Sequence, residues 1–250
     1  MEMKRYFLEL AYKGSDFHGW QIQANAYSVQ EEIEKAISLV LGKATPIVGS
    51  GRTDTGVHAS QTFAHFDTEA ELDKSSFLKK INGIVGKDIA FYDLLPVKSD
   101  AHARFNALER EYLYRCTLRK NPFENDRSWQ IFGNPEVHLM NKAAEILMEY
   151  EDFQCFSKVK TSVNNFRCEI KQAFWEQNGA ELLFHITANR FLRGMVRAIV
   201  GTLMEVGLGK ITPEDFRSII ESKNRKKAKS SAPAQGLFLC RVNYPDKIFI

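Results

Sequence analysis

Gly49-Ser50-Gly51-Arg52-Thr53-Asp54-Thr55-Gly56-Val57-His58 lies between two predicted strands, at residues 46–48 and 62–66. The stretch surrounds one carboxylate with glycines, small hydroxyl side chains, an arginine and a histidine. Gly and Asp are common in ordinary turns, but a strand on each side can fix this loop and its side chains. We therefore interpret the stretch as a site, with Asp54 at its centre.

Asp54 has a structural alternative, because an Asp side chain in a turn can hydrogen-bond to its own backbone. Arg52 and the glycine-lined backbone favour a functional role instead. They offer charge and hydrogen bonds that hold a carboxylate ionised, and glycines let a bulky substrate approach closely. An ionised carboxylate suits nucleophilic attack or proton abstraction, and the residues alone leave both roles open.

The patterns on either side of the loop predict an α+β fold, since strands and helices alternate in both halves of the chain. Ser28, followed by Glu31 and an apolar periodic run, predicts a helix that begins with a capping box. The predicted strands lie near residues 5–13, 46–48, 62–66, 89–95, 110–118, 170–176, 181–187 and 237–244. The predicted helices lie near residues 29–40, 73–84, 141–150 and 191–206, with a shorter one after Thr212.

Basic residues are concentrated in two places. The 34 Lys and Arg residues exceed the 31 Asp and Glu residues by only three, too few for whole-molecule attraction to a polyanion. Arg190, Arg193 and Arg197 have the i, i+3, i+7 spacing of one helix face and are interleaved with apolar residues. The second group, in residues 223–229, fits a solvated face or mobile loop as well as a binding site, and the sequence leaves both open.

The sequence gives little support for disulfides, a metal site or a membrane segment. The four cysteines are widely spaced, without the pairing typical of zinc sites, so we expect neither disulfides nor a metal. We interpret His58, His65 and His102 as core or surface histidines. No apolar run is long enough for a membrane span and no signal segment is present, which predicts a soluble cytoplasmic protein with no membrane partner.

Five motifs in this order resemble the tRNA pseudouridine synthase A family. They are GRTDTGVH (51–58), HARF (102–105), REYLY (110–114), NRFLRGMVR (189–197) and GLFL (236–239). The opening segments YKG (12–14), FHGWQ (17–21) and SVQ (28–30) are also similar to that family. Each motif alone is weak, but the ordered set covers almost the whole chain and is highly specific.

The resemblance implies an isomerase that converts uridine to pseudouridine at positions 38, 39 and 40 of the tRNA anticodon stem-loop, without metal or organic cofactor. It implies two ferredoxin-like (RRM-like) lobes that share a central antiparallel sheet, with a cleft between them. It also implies a homodimer in which one tRNA touches both subunits. We place the lobes at residues 1–108, with the Asp loop, and 109–250, with the arginine helix and the last pocket strand.

The resemblance also assigns site residues. The catalytic set is Asp54, Tyr112 and Arg197: Asp54 would attack or deprotonate the ribosyl unit, Tyr112 would stack on the uracil, and Arg197 would pair with Asp54. The family's pattern leaves attack at C1′, addition at C6 and a glycal route open. The substrate-binding set is Arg52, Tyr112, Leu237, Arg190 and Arg193. The sequence leaves open whether Tyr112 and Tyr114, on one side of a strand, include a core residue.

Two residues depart from the family's usual pattern. Thr55 stands where Ala is usual, and Tyr27 stands where many members have an arginine. The first affects fine tuning beside Asp54 and the second affects RNA-loop contacts and target range; neither removes a catalytic group.

Two other functions compete with the isomerase. One is a non-catalytic RNA-binding protein on the same scaffold, because a fold does not settle a function; the intact catalytic set argues against it. The other is a glycoside hydrolase that acts through Asp54. It ranks last, because that chemistry normally needs two facing carboxylates.

Overall fold

In the computed structural model, which describes residues 3–159 and 164–250, the described chain has nine strands and five α-helices. The strands are β1 (Lys4–Tyr12), β2 (Val48–Gly49), β3 (His58–Thr68), β4 (Ile89–Val97), β5 (Glu109–Thr117), β6 (Trp129–Gln130), β7 (Ile170–Asn178), β8 (Glu181–Ala188) and β9 (Leu237–Asn243). The helices are α1 (Val29–Leu41), α2 (Lys74–Ile84), α3 (Val137–Ile146), α4 (Met195–Gly207) and α5 (Pro213–Glu221). The strand pairs are mostly antiparallel, so the predicted α+β class is confirmed.

The chain divides into two compact units. The first comprises Met1–Leu108 with Leu239–Ile250, and the second comprises Glu109–Phe238. The C-terminal segment belongs to the first unit because its backbone bonds there: the Lys98 N–H donates to the Ile248 carbonyl (2.9 Å), and the Ile250 N–H donates to the Pro96 carbonyl (3.2 Å). The predicted lobe boundary groups this segment with residues 109–238 instead, and as a functional division it stays a prediction.

In the first unit, β1 is the central strand, antiparallel to both β3 and β4. One face of β1 is buried from Tyr6 to Tyr12, and the other face is buried at Phe7. Leu8 and Leu10 are fully buried, and the Phe7 ring on the opposite face meets the Tyr244 ring edge-on at 5.1 Å. At the start of α1 the Ser28 hydroxyl accepts the Glu31 N–H (3.2 Å). The predicted helix start is confirmed, and this contact satisfies one exposed backbone donor.

In the second unit, β8 lies between β5 and β7 and is antiparallel to both, while the short β6 runs parallel to β5. Helix α5 begins with a complete capping box: the Thr212 hydroxyl accepts the Asp215 N–H (3.1 Å), and the Asp215 carboxylate accepts the Thr212 N–H (2.9 Å). Together with Pro213 in the first turn, this confirms the predicted start of the helix.

Helix α3 begins at Val137, four residues before the predicted start at Asn141. Asn is a common helix cap, but here the Asn141 amide bonds to the backbone of Trp175 on β7. Its nitrogen donates to the Trp175 carbonyl (3.0 Å) and its oxygen accepts the Trp175 N–H (2.7 Å). Asn141 therefore joins helix to sheet from within the helix and does not cap it.

His65, on β3, is 5% exposed, and its Nδ1 accepts the Ala103 N–H (3.1 Å). Burial, with a smaller contribution from the Arg5 charge, lowers its pKa to about 4. An unfolded histidine takes up a proton near pH 6.5. Between pH 6.5 and pH 4 the unfolded chain therefore binds a proton that the folded chain does not, and acidification favours unfolding.

We expect the free energy of unfolding to fall by about 2 kcal/mol between pH 6.5 and pH 4 because of His65, with no contribution from it above pH 6.5. Urea unfolding at a series of pH values, for the wild type and for His65→Gln, measures this contribution. The variant should show the shallower loss of stability in that window. Parallel curves would contradict the prediction.

Candidate functional site

The Asp54 loop joins β2 to β3. Ser50 anchors its start, since its N–H donates to the Phe63 carbonyl (2.8 Å) and its hydroxyl bonds to the Thr62 hydroxyl (2.8 Å). Its end is a turn in which the Val57 N–H donates to the Asp54 carbonyl (3.1 Å). Gly56, at the third position of this turn, has φ +79°, the conformation that a type II turn requires and glycine adopts without strain. Asp54 is half-buried at the start of the turn.

Residues 14–20 lie beneath this loop and fix it from one side. The Gly14 N–H donates to His58 Nδ1 (3.1 Å), and a Cβ at Gly14 would lie 2.0 Å from the Val57 carbonyl oxygen. At Gly19, with φ +88°, a Cβ would lie 2.6 Å from the Thr53 carbonyl oxygen. The two backbones thus meet at distances that only glycine permits. His58 serves this packing, in agreement with its interpretation as a core residue.

Aromatic side chains support the same loop. The Tyr12 hydroxyl bonds to the Thr53 hydroxyl (2.8 Å), one residue before Asp54. The Trp20 ring packs on Gly49, where a Cβ would lie 2.4 Å from ring carbons, and the Trp20 backbone N–H donates to the Thr53 carbonyl (3.3 Å). Both aromatic residues are buried. These packing roles were not among the sequence-based predictions, although glycines within an aromatic-rich segment are the signal that could have indicated them.

Two other loop residues are exposed to solvent: Arg52 and Thr55. Arg52 can therefore meet a substrate, and the extra hydroxyl of Thr55 lies at the second position of the turn. Tyr27, the other departure from the family's pattern, stacks on Phe17 (ring centroids 6.0 Å apart), and its hydroxyl donates to Glu32. Tyr27 thus packs against its own lobe.

Tyr112 and Tyr114 on β5 differ in how deeply their side chains are buried. Tyr114 is fully buried; its hydroxyl donates to the Pro233 carbonyl (2.8 Å), and burial raises the pKa of its phenol. Tyr112 is half-buried and meets the Phe191 ring edge-on at 5.1 Å. Tyr114 is therefore the core residue, and Tyr112 is the tyrosine with an accessible surface.

The prediction that Arg190, Arg193 and Arg197 lie on one helix face is wrong. Helix α4 begins at Met195, and Gly194 before it has φ +71°, a left-handed conformation that interrupts a right-handed helix. Arg190 and Arg193 therefore lie in the loop that leads into the helix, and Arg197 alone lies on α4. Arg193 is exposed, and its carbonyl accepts the Lys158 N–H (3.0 Å).

The segment 230–236 holds Arg197. The Arg197 Nε donates to the Ala232 carbonyl (2.7 Å), and the Ala232 N–H donates to the Arg197 carbonyl (2.9 Å). One turn along α4, a Cβ at Gly201 would lie 1.9 Å from the Ser230 carbonyl oxygen, so helix and segment are in close contact. Leu237, buried at the start of β9, follows directly.

Each unit carries part of the predicted site. Arg52 and Asp54 belong to the first unit. The second unit contains Tyr112, Arg190, Arg193, Arg197 and Leu237.

In the described ranges, no three His, Cys, Asp or Glu side chains are grouped as metal ligands. Among those same residues, no helix is both long and apolar enough to cross a membrane.

Comparisons with known proteins point to one family. A family model described as tRNA pseudouridine synthase matches residues 143–245. A tRNA pseudouridine synthase A from Bacteroides fragilis is 49% identical over 251 residues, covering 100% of both chains. Proteins of the same name from Parabacteroides distasonis and Exiguobacterium sibiricum are 47% and 34% identical; the alignments cover 99% and 98% of this chain and 98% of each relative.

Proposed function

Because the chain belongs to the tRNA pseudouridine synthase A family, and is thereby an isomerase that acts on tRNA, we propose that it converts uridine to pseudouridine at positions 38, 39 and 40 of the anticodon stem-loop. In this reaction the N1–C1′ bond breaks, the uracil turns, and C5 bonds to C1′. The C5 proton is lost and N1 gains one, so the product is an isomer. The enzyme must therefore hold a detached base.

The observation that carries this proposal is the fixed geometry of the Asp54 loop. Strand residues anchor one end of the loop, a type II turn closes the other, and the backbone of residues 14–20 packs beneath it. A preorganised carboxylate suits attack at C1′, addition at C6 or proton abstraction on a glycal route. We assign the catalytic step to Asp54 and leave these three routes open.

Arg197 and Tyr112 are the proposed partners of Asp54. The bond from Arg197 Nε to the Ala232 carbonyl fixes the plane of the guanidinium, which suits a directed pair with a carboxylate. Such a pair would keep Asp54 ionised. The half-buried Tyr112 ring suits stacking on uracil and helping to remove the C5 proton, and Leu237 supplies an apolar wall for the base.

The remaining arginines are the proposed tRNA contacts. A uridine inside a stem must leave the base stack before a carboxylate can reach its ribose. We assign to the exposed Arg52, two residues before Asp54, contact with RNA or help in extruding that nucleotide. Arg190 and Arg193 would contact the phosphate backbone, which provides most of the non-specific affinity of proteins for nucleic acids.

We also propose an assembly and a location. The enzyme would act as a homodimer in which one tRNA touches both subunits. Each subunit would have two ferredoxin-like lobes, residues 1–108 and 109–250, that share a central sheet with a cleft between them. Its location would be the cytoplasm, where tRNA is found. From the family resemblance we also propose that the reaction uses neither an organic cofactor nor a metal.

Pseudouridine mapping tests the function. An unmodified tRNA transcript with uridines at positions 38, 39 and 40 is incubated with the protein and no cofactor, then mapped at nucleotide resolution. We expect new pseudouridine at those positions alone. Modification elsewhere would overturn the assigned positions. RNA that is bound but unmodified would favour the RNA-binding alternative and make Thr55 and Tyr27 the first residues to revert.

Arg193→Ala is expected to weaken tRNA binding and flatten its salt dependence. One lost phosphate contact should reduce the slope of log K against log salt by about 0.7 to 0.9. Fluorescence anisotropy with labelled tRNA at several salt concentrations measures this slope. Arg119→Ala, which removes another exposed arginine of the second unit, is the matched control. An unchanged slope for Arg193→Ala would exclude a phosphate contact by Arg193.

A further inference from the structure

A basic pocket of about 370 Å³ lies in the second unit, between residues 154–159 and the turn that follows α5. Four cationic residues line it: Lys158, Lys223, Arg225 and Lys226. The proposed catalytic machinery uses none of them. Their concentration around one cavity indicates an anionic ligand.

The four cations differ in how they are held. Arg225 stabilises the turn, since its guanidinium donates to the Ala228 carbonyl (3.3 Å) and to the Ser231 hydroxyl (3.1 Å). Lys223 forms an ion pair with Asp152 (2.8 Å). Lys158 and Lys226 are exposed, and within residues 3–159 and 164–250 neither forms an ion pair with a carboxylate. The pocket therefore keeps a positive charge after its internal pairing.

The backbone at Lys223 is strained. Its φ is +50°, and among the described residues it is the one non-glycine residue with positive φ. It follows Ser222 at the end of α5, a position where glycine or asparagine is usual because a Cβ disfavours the left-handed conformation. Strained residues of this kind are concentrated at functional sites. A lysine here has an unfavourable backbone but adds a charge to the pocket.

The pocket adjoins a proposed tRNA contact. The Lys158 N–H donates to the Arg193 carbonyl (3.0 Å), so the loop with Lys158 is bonded directly to the loop with Arg193. Lys158 and Arg193 are both exposed. Cations on adjoining loops suit a polymer with regularly spaced phosphates better than a single small anion.

We propose that this pocket binds a backbone phosphate of the tRNA substrate, with Lys158 and Lys226 as the direct contacts and Lys223 supplying further positive charge. Lysine ammonium groups bind phosphate as point charges and form no fixed bidentate geometry. The site therefore holds the RNA backbone without reading its sequence. This inference rests on the proposed function, because it names a second contact with the same substrate.

A charge-removal pair tests the contact. Lys158→Gln combined with Lys226→Gln is compared with Lys120→Gln combined with Lys142→Gln, which removes two exposed lysines of the same unit that do not line the pocket. We expect the pocket pair to weaken tRNA binding at least about tenfold at 0.1 M salt and to lower the salt slope by about 0.7 to 0.9, the change for one phosphate. The control pair should leave both unchanged. Arginine at both pocket positions should restore the slope.

The variant Lys223→Gly distinguishes a role of Lys223 in tRNA binding from a role in protein stability. Glycine adopts φ +50° without strain, so the variant should melt at the same temperature as the wild type or higher. It should nevertheless bind tRNA at least about threefold more weakly, since it removes one positive charge from the pocket and the cation that pairs with Asp152. A higher melting temperature with unchanged affinity would show a structural role alone and would overturn the role of Lys223.

A failure of the pocket proposal can be distinguished from a failure of the proposed function, because pseudouridine formation by the wild type is measured on the same tRNA. If the wild type modifies the tRNA and the pocket pair keeps the wild-type slope, the pocket does not bind RNA, and an acidic protein partner becomes the alternative. If the wild type forms no pseudouridine but the pocket pair still loses affinity and slope, the proposed function is wrong and the RNA-binding pocket stands.

Discussion

Asp54→Ala is expected to lower the rate of pseudouridine formation by at least about 10³-fold, because it removes the carboxylate that we propose attacks or deprotonates the ribosyl unit. tRNA binding should stay within about twofold of the wild type, since phosphate contacts by basic residues provide most of the affinity. Single-turnover release of tritium from tRNA labelled at uridine C5 measures the chemistry, and anisotropy measures the binding.

Two further variants show whether the charge or the fold is lost. Asp54→Asn keeps the size of the side chain, so an equal loss of rate would assign the effect to the carboxylate. Thr55→Ala leaves Asp54 in place and introduces the residue that is usual in the family; it should remain active. Tritium release by Asp54→Ala near the wild-type rate would remove Asp54 from the mechanism.

Gly14→Ala is expected to destabilise the protein by about 3 kcal/mol and to reduce activity with it. The new methyl group would lie 2.0 Å from the Val57 carbonyl oxygen. Relief of this clash requires one of two backbones to move, so the cost lies at the upper end of that for overpacked interiors. Movement of Val57 would displace the turn that it closes with Asp54.

Gly51→Ala is the matched control within the Asp54 loop. A Cβ at Gly51 meets no atom within 4 Å, and Gly51 does not have a positive φ. Its stability should change by less than about 1 kcal/mol, with a small gain from the less flexible unfolded chain. Thermal melts and tritium release on both variants test the pair. Equal effects would show that residues 14–20 do not position the loop.

Sequence patterns predicted the elements whose signals are local. The Ser28 and Thr212 helix starts are set by a hydroxyl residue followed three positions later by an acidic one, and both are found in the structure. The start of α3 was not predictable in this way, because Asn141 resembles a cap and instead bonds to a strand distant in sequence. A local pattern carries no information about such a partner.

Local sequence patterns also failed to predict parts of the site. The spacing of Arg190, Arg193 and Arg197 predicts one helix face, but Gly194 adopts a positive φ that the spacing does not reveal. Period-two alternation places Tyr112 and Tyr114 on one side of β5. Their difference in burial depends on segment 230–236, which lies more than a hundred residues along the chain.

Segment 230–236 is bonded to two elements at once. Ala232 is bonded in both directions to Arg197 on α4, and the Pro233 carbonyl accepts the hydroxyl of Tyr114 on β5. Gly236 then packs on the Tyr114 ring before Leu237 begins β9. The chain between Ala232 and Leu237 cannot be lengthened or shortened without breaking one of these contacts. The length of this short connection is therefore as constrained as the identity of the residues it joins.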